Sequence, residues 1–257
     1  MFKFYTIPTI DIIDKLIGEQ ATIKISSAFT LNDPFELKFN MDLEPLAEEH
    51  KELFIKNNPG STEKDFKDWQ RHVLEGDNYT WYLEQQQRER IAMNIALCSF
   101  TETNKNNLMW SHYTNNHKGI CVEYKPEMFE YLNNLQNFLV FWKVIYSKKP
   151  PTVKTLETLT SKVEKMMFNK QIEWKYEKEH RVVFQSDKDT EFIPIDRKFI
   201  KSVYIGSRAD TEIDNKILAV CNNTHIDIYY GITLGKSYDV NFEKHKDRTI
   251  YTRAFYG

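Results

Sequence analysis

LMWSHYTNNHKGICVEY, residues 108–124, reads as one helix, turn and strand unit, and it sets the class of the fold. LMWSHY is helical, and ICVEY is a strand of apolar and β-branched residues. Gly119 stands at the turn, where glycine takes left-handed backbone that other residues resist. The helix carries Trp110, His112 and Tyr113 within one turn. Together they offer a flat stacking face, a group that titrates near neutral pH and a phenol, which suits a ribose or base pocket. Taken singly, Trp110 and Tyr113 serve equally well as core anchors, and His112 as a partner for a backbone carbonyl.

Outward from this unit, strand and helix signals mix without regular alternation. Upstream, ALCSFTET (96–103) reads as a buried strand, and residues 45–96 form a charged helical insertion broken at NNPGS (57–61) and GDN (76–78). Earlier still, IDIIDKLIG (10–18) is helical and ATIKISSAF (21–29) a strand with Ile23 and Ile25 inward and Lys24 and Ser26 outward. Downstream, WKVIYS (142–147) is a strand candidate stopped by KKPP, TVKTLETLTSKVEKMMF (152–168) a helix, and HRVVF (180–184) a strand. IPI, KSVYIG and HIDIYYGI follow as strands, with TEIDNKILAVCN (211–222) helical between the last two. Strands and helices do not alternate as a doubly wound fold requires. The pattern predicts an α+β fold, a single domain over residues 1–257 with a mixed, mostly antiparallel sheet.

Composition supports a packed chain. Its 257 residues are 41% hydrophobic, too apolar for disorder, and the formal net charge of -2 gives no global attraction to nucleic acid or anionic membrane. No basic flank joins an apolar run at the start, and no long apolar stretch reads as a membrane span, so a cytoplasmic protein is expected. Cys98, Cys121 and Cys221 lie far apart without a CxxC pair and read as small buried apolar residues. Only 8 glycines occur and no two are separated by one residue, which excludes the GxGxxG dinucleotide fingerprint. GITLGKS (231–237) has three residues between its glycines where a phosphate-binding loop needs four. His112 and His117, five apart, do not share a helix face, so no metal is expected.

Two further clusters carry chemistry. In WKYEKEHR (174–181), an extended chain points Glu177 and Glu179 to one face and His180 to the other. Two carboxylates on one face suit acid and base work. In LNDPFE (31–36), Asn32 and Asp33 suit an Asx turn before Pro34, and with Glu36 they are candidates for a ligand's hydroxyls.

Taken in order, FKFYT (2–6), SSAFTLNDPFE (26–36), LCSFTETNKNNLMWSHYTNNHKGICVEY (97–124), VIYSKKP (144–150) and WKYEKEHRVVF (174–184) resemble the bacterial domain of unknown function family 2971, over about residues 2–240. EKEHR stands where that family tends to show an acidic pair followed by Trp-Arg, which leaves Glu179 and Arg181 in place. The family's members look like accessory genes of bacterial conflict, a phage-defence or toxin setting in which a defence-system protein would be the partner. The order of polar motifs is also similar to that of ADP-ribosyltransferases, with a basic residue on an early strand, a hydroxyl or aromatic motif mid-chain and a late acidic pair.

That second likeness implies an NAD-consuming enzyme with NAD as substrate. Glu179 would stabilise positive charge on the ribose and Glu177 would act on the acceptor. Lys3 or Arg181 would hold the pyrophosphate, Trp110 or Tyr113 would stack on a ring, and His112 would hydrogen-bond ribose. Two other expectations stand beside it: a nucleotide-sensing or interaction module without turnover, and a nuclease or other hydrolase using His112, Glu36, Glu179 and Arg181, with nucleic acid as its partner.

Overall fold

The strand Ile95–Thr101 organises the molecule. In the computed structural model, which describes residues 1–31, 33–42, 48–75, 77–154, 157–233 and 238–245, it is the fourth of fourteen strands. Those strands are β1 (Phe2–Tyr5), β2 (Thr22–Ser27), β3 (Asn40–Asp42), β4 (Ile95–Thr101), β5 (Ile120–Tyr124), β6 (Phe138–Lys143) and β7 (Ile145–Ser147). They continue with β8 (Thr152–Lys154), β9 (Asn169–Gln171), β10 (Glu179–Gln185), β11 (Thr190–Pro194), β12 (Ile200–Ile205), β13 (Asp227–Ile232) and β14 (Asn241–Lys244). The helices are α1 (Ile12–Ile17), α2 (Glu48–Asn57), α3 (Glu63–Glu75), α4 (Asp77–Ala92), α5 (Asn107–Tyr113), α6 (Glu127–Asn133), α7 (Leu159–Met167) and α8 (Thr211–Cys221). Asn32 and residues 234–237 of GITLGKS lie outside the described residues.

Ten strands form one sheet in the order β11-β2-β4-β1-β5-β12-β13-β14, with β10 beside β4 and β6 beyond it. Its pairs are antiparallel except β12 with β13, and two small parallel pairs, β3 with β8 and β7 with β9, stand apart. The architecture is therefore α+β with a mixed, mostly antiparallel sheet. The period-2 alternation of β4 explains its central place. Ala96, Cys98 and Phe100 pack on one face with Ile13, Leu16 and Ile17 of α1 and Ile217 of α8. Ile95 and Leu97 pack on the other with Ile91 and Ala92 of α4 and Met166 and Met167 of α7. All three cysteines are free and buried.

One edge of β4 pairs with β10 along its whole length, from Thr101 opposite Glu179 to Ile95 opposite Gln185. Two strands share its other edge. β1 meets it only at Thr101, and β2 only at Leu97 and Ala96. Ser99 therefore lies in a fork between β1 and β2, where the carbonyl it would offer a sheet partner accepts from Lys3 Nζ at 3.3 Å.

The helical insertion is α2, α3 and α4, held internally by the rings of Phe54, Phe66 and Trp69 and docked through Glu84, whose carboxylate accepts from Met41 N at 2.8 Å. Three expectations need correction. TVK is not helical but forms β8; α7 starts after Thr158, whose hydroxyl accepts from Ser161 N. WKVIYS is not one strand: buried Val144 donates its N–H to Glu179 O and separates β6 from β7. The left-handed backbone at the turn belongs to Asn115, Asn116 and His117 (φ 51, 57 and 68), not to Gly119. Gly119 is needed for a different reason, because a Cβ there would stand 2.1 Å from Tyr5 O.

Among the described residues, no helix is long and apolar enough to cross a membrane.

Candidate functional site

The fork between β1 and β2 opens a cavity of about 500 Å³. Its wall brings together Lys3 from the first strand, Glu36 from the NDPFE turn, His112 and Tyr113 from α5, and Glu177, Glu179 and Arg181 from the third cluster. Convergence follows from register. Leu97, Ser99 and Thr101 share a face of β4, and opposite them stand Val183, Arg181 and Glu179 of β10. Apolar contact fills one end of this shared face, and polar side chains fill the end nearest the cavity.

Glu177 reaches the cavity by a route the extended reading did not contain. Residues 172–177 form a 3-10 turn, and Lys178 is left-handed at φ 47, so the chain swivels between the two glutamates. The turn packs on α5, with His112 against the edges of Trp174 and Tyr176. Both carboxylates still arrive at one point, Lys170 on β9. Its Nζ lies 2.7 Å from Glu177 Oε2, 3.3 Å from Glu179 Oε2 and 3.2 Å from Glu36 Oε1. Nothing in the sequence around Lys170 singles it out.

Arg181 is fully buried and serves this cluster rather than the open cavity. Its Nε donates to Glu179 Oε1 at 2.7 Å, Nη2 to Glu36 Oε1 at 2.7 Å and Nη1 to Met167 O at 2.6 Å. Such forked donation fixes both carboxylates in orientation. Ser99 Oγ donates to Glu179 Oε1 at 2.5 Å, and the Glu179 N–H donates to Tyr146 Oη at 2.8 Å. Tyr113 donates its phenol hydrogen to Glu177 Oε1. Glu36 Oε2 and Asp33 Oδ2 are buried acceptors with no hydrogen-bond partner among the described residues, while Asp33 Oδ1 caps the turn by accepting from Phe35 N.

The cluster sets three carboxylates against two cations, and their environments push the glutamates apart. Burial opposes ionisation of Glu179, but the charges of Arg181 and Lys170 outweigh it and hold the carboxyl at about 2. Burial raises Glu177 from its ordinary value, Lys170 only partly counters it, and the neighbouring Glu179 charge adds to the rise. Burial alone would lower Lys170, yet Glu179, Glu177 and Glu36 reverse this and keep it a cation. The arrangement sets two carboxyls side by side with shifts of opposite sign, Glu179 lowered and Glu177 raised, which is the condition for distinct acid and base roles.

Trp110 does not line the cavity. Its ring is fully buried against Phe4, and Nε1 donates to Asn104 O at 2.6 Å, so it anchors α5 beneath β1. His117 stacks on Trp110 and donates from Nε2 to Asn107 Oδ1 at 2.8 Å; burial and then Arg208 lower its pKa. Asn106 caps α5 by accepting from Leu108 N and Met109 N, a contact worth about 1 kcal/mol. The sequence passed over Lys170, Ser99 and Tyr146. Ser99 alone carried a signal, since the alternation of ALCSFT puts it on the face opposite Cys98 and Phe100.

A family model described as protein of unknown function (DUF2971) matches residues 109–182. That segment runs from α5 to the middle of β10 and holds Tyr113, Lys170, Glu177, Glu179 and Arg181; β1 and the NDPFE turn lie outside it. No curated protein and no solved structure matches the chain.

Proposed function

We propose that the cavity binds NAD and that the chain is an NAD-consuming, ADP-ribosyltransferase-like enzyme. The observation that carries this reading is the carboxylate pair, Glu179 lowered and Glu177 raised from their ordinary values, in a cavity that also holds the early-strand Lys3 and the mid-chain hydroxyl of Ser99. A carboxylate beside a sugar stabilises the positive charge that develops as a glycosidic bond breaks.

The roles follow from position. The ribose C–N bond breaks and nicotinamide leaves with the electron pair, while Glu179 stabilises the oxocarbenium-like ribose. The acceptor oxygen bonds to the ribose carbon as its proton passes to ionised Glu177, whose raised pKa makes it the better base of the two. Lys3 meets the pyrophosphate, and His112 and Glu36 Oε2 meet ribose hydroxyls. Tyr113, whose hydroxyl is committed to Glu177, offers its ring face. Arg181 is a positioning residue for Glu179 and Glu36, and Trp110 supports the helix rather than the ligand.

One feature favours a second reading, a nucleotide-binding module without turnover: both Glu179 oxygens are already engaged by Arg181, Ser99 and Lys170. Incubation of the purified chain with NAD, with calorimetry for binding and chromatography for free nicotinamide, separates the two. Binding with release supports the enzyme, binding without release supports the module, and neither binding nor release sinks both. In a toxin or phage-defence setting, expression in a bacterial host would also deplete cellular NAD.

A further inference from the structure

A second pocket, of about 170 Å³, lies next to the first and shares Lys170 with it. One wall is the turn that carries Phe35 and Lys38, and the other is the loop holding Ser147, Lys148, Lys149, Pro150 and Pro151. None of its lining residues bears a carboxylate. Among the described residues Lys38, Lys148 and Lys149 have no acidic partner, although the chain as a whole is slightly acidic. Phe35 is 55% exposed, and Lys38 Nζ lies 5.0 Å from its ring centroid.

Both walls are stiff. The first is fixed by the Asp33 cap, by Lys38 N donating to Phe35 O at 3.3 Å, and by left-handed Leu37 (φ 58). In the second, Ser147 Oγ donates to Lys149 O at 2.5 Å, two prolines fix their own φ, and Pro151 O accepts from Asn40 N at 3.0 Å. Three cations without an acidic partner among the described residues, beside an exposed aromatic ring that Lys38 already approaches, match a flexible polyanion that also presents flat rings. A bare phosphate would use the cations alone, and an acidic peptide would leave the ring idle.

We infer that this pocket is a subsite for single-stranded nucleic acid, with Phe35 stacking on a base and Lys38, Lys148 and Lys149 meeting the backbone phosphates. Shared Lys170 puts such a strand beside Glu177, so that it becomes the acceptor of the transfer. That last assignment rests on the NAD-consuming reading; the binding does not.

The test is fluorescence anisotropy of labelled single-stranded DNA and single-stranded RNA with the full chain across a salt titration, without NAD. Saturable, salt-sensitive binding of one or both strands is expected, and the two arms tell which sugar is accepted. The triple variant K38Q/K148Q/K149Q should bind at least about tenfold more weakly and lose about two from the salt slope, at roughly 0.7 per phosphate contact on a single strand. Phe35→Ala should weaken binding about tenfold with the slope unchanged. All four side chains are exposed, so thermal unfolding of the variants should match the parent. No saturable binding to either strand, unchanged affinity in the triple variant, or equal competition by polyglutamate would overturn the proposal. Because the titration contains no NAD, its outcome stands whether or not nicotinamide is released in the separate assay.

Discussion

Lys170 Nζ sits 2.7 Å from Glu177 Oε2, and each side chain is only 3% exposed. An ion pair this deep is retained only when the remaining charges around it are also matched. Here Arg181 answers Glu179 and Glu36 from the far side, which leaves the three carboxylates one charge in excess of the two cations.

Lys170→Met removes the cation shared by three carboxylates. Loss of about 3–5 kcal/mol is expected, because breaking a buried pair leaves charge unpaired. Urea unfolding at neutral pH measures it. A loss smaller than about 1 kcal/mol, the range of exposed pairs, would mean that the cluster is not buried in solution.

Glu177→Gln takes one charge from a cluster of three carboxylates facing two cations and keeps the shape of the side chain. Stability should change by no more than about 1 kcal/mol, as for one ordinary hydrogen bond. ADP-ribosyl transfer should fall about 100- to 10,000-fold, the usual contribution of a general acid or base. Retention of full transfer by a folded variant would remove Glu177 from the chemistry.

The pH dependence of stability has two limbs with opposite signs. Glu179 is held at about 2, below its ordinary 4.5, so its contribution is fully present above pH 4.5 and is lost as pH falls from there toward 2. Glu177 is raised, so its contribution is fully present below pH 4.5 and is lost as pH climbs through the raised value. Unfolding midpoints recorded across pH should flatten on the acid limb in Glu179→Gln and on the other limb in Glu177→Gln. An acid limb unchanged by Glu179→Gln would contradict the assignment.

His112→Ala tests an exposed ring on the cavity wall. Because the side chain is not part of the core, stability should move by less than about 0.5 kcal/mol. NAD affinity by calorimetry should fall. Equal affinity in parent and variant would leave His112 out of the site.

Gly119→Ala should destabilise by at least about 1–3 kcal/mol, the range for overpacking, because the new methyl meets backbone and cannot be moved aside. Denaturant unfolding measures this. A neutral result would show that β1 and the turn can separate without cost.

The sequence made the elements legible where period and burial agreed. ATIKISSAF and ALCSFT alternate along strands that turn Ile23, Ile25, Ala96, Cys98 and Phe100 to one core, and LMWSHY carries a helical spacing. Legibility failed where the cause lay elsewhere in the chain. Lys170 is defined by Glu36, Glu177 and Glu179, none within six residues of it. Arg181 looked like a ligand group, yet it precedes Val182, Val183 and Phe184 in a core strand, a context that pointed to burial. Gly119 was correctly marked as a backbone position, but the constraint is the approach of Tyr5 O and not its own dihedral angle. TVK was absorbed into the following helix because Thr158 was not recognised as the cap at which that helix starts.

The fork in β4 also governs when the site comes into being. Its walls come from both ends of a stretch running from Lys3 to Arg181, and β10 is the last of these pieces to leave the ribosome. At about 5–20 residues per second that interval is on the order of ten seconds or more, during which no partial chain can hold Glu179 against Ser99. The pocket is thus assembled late and all at once, by topology alone.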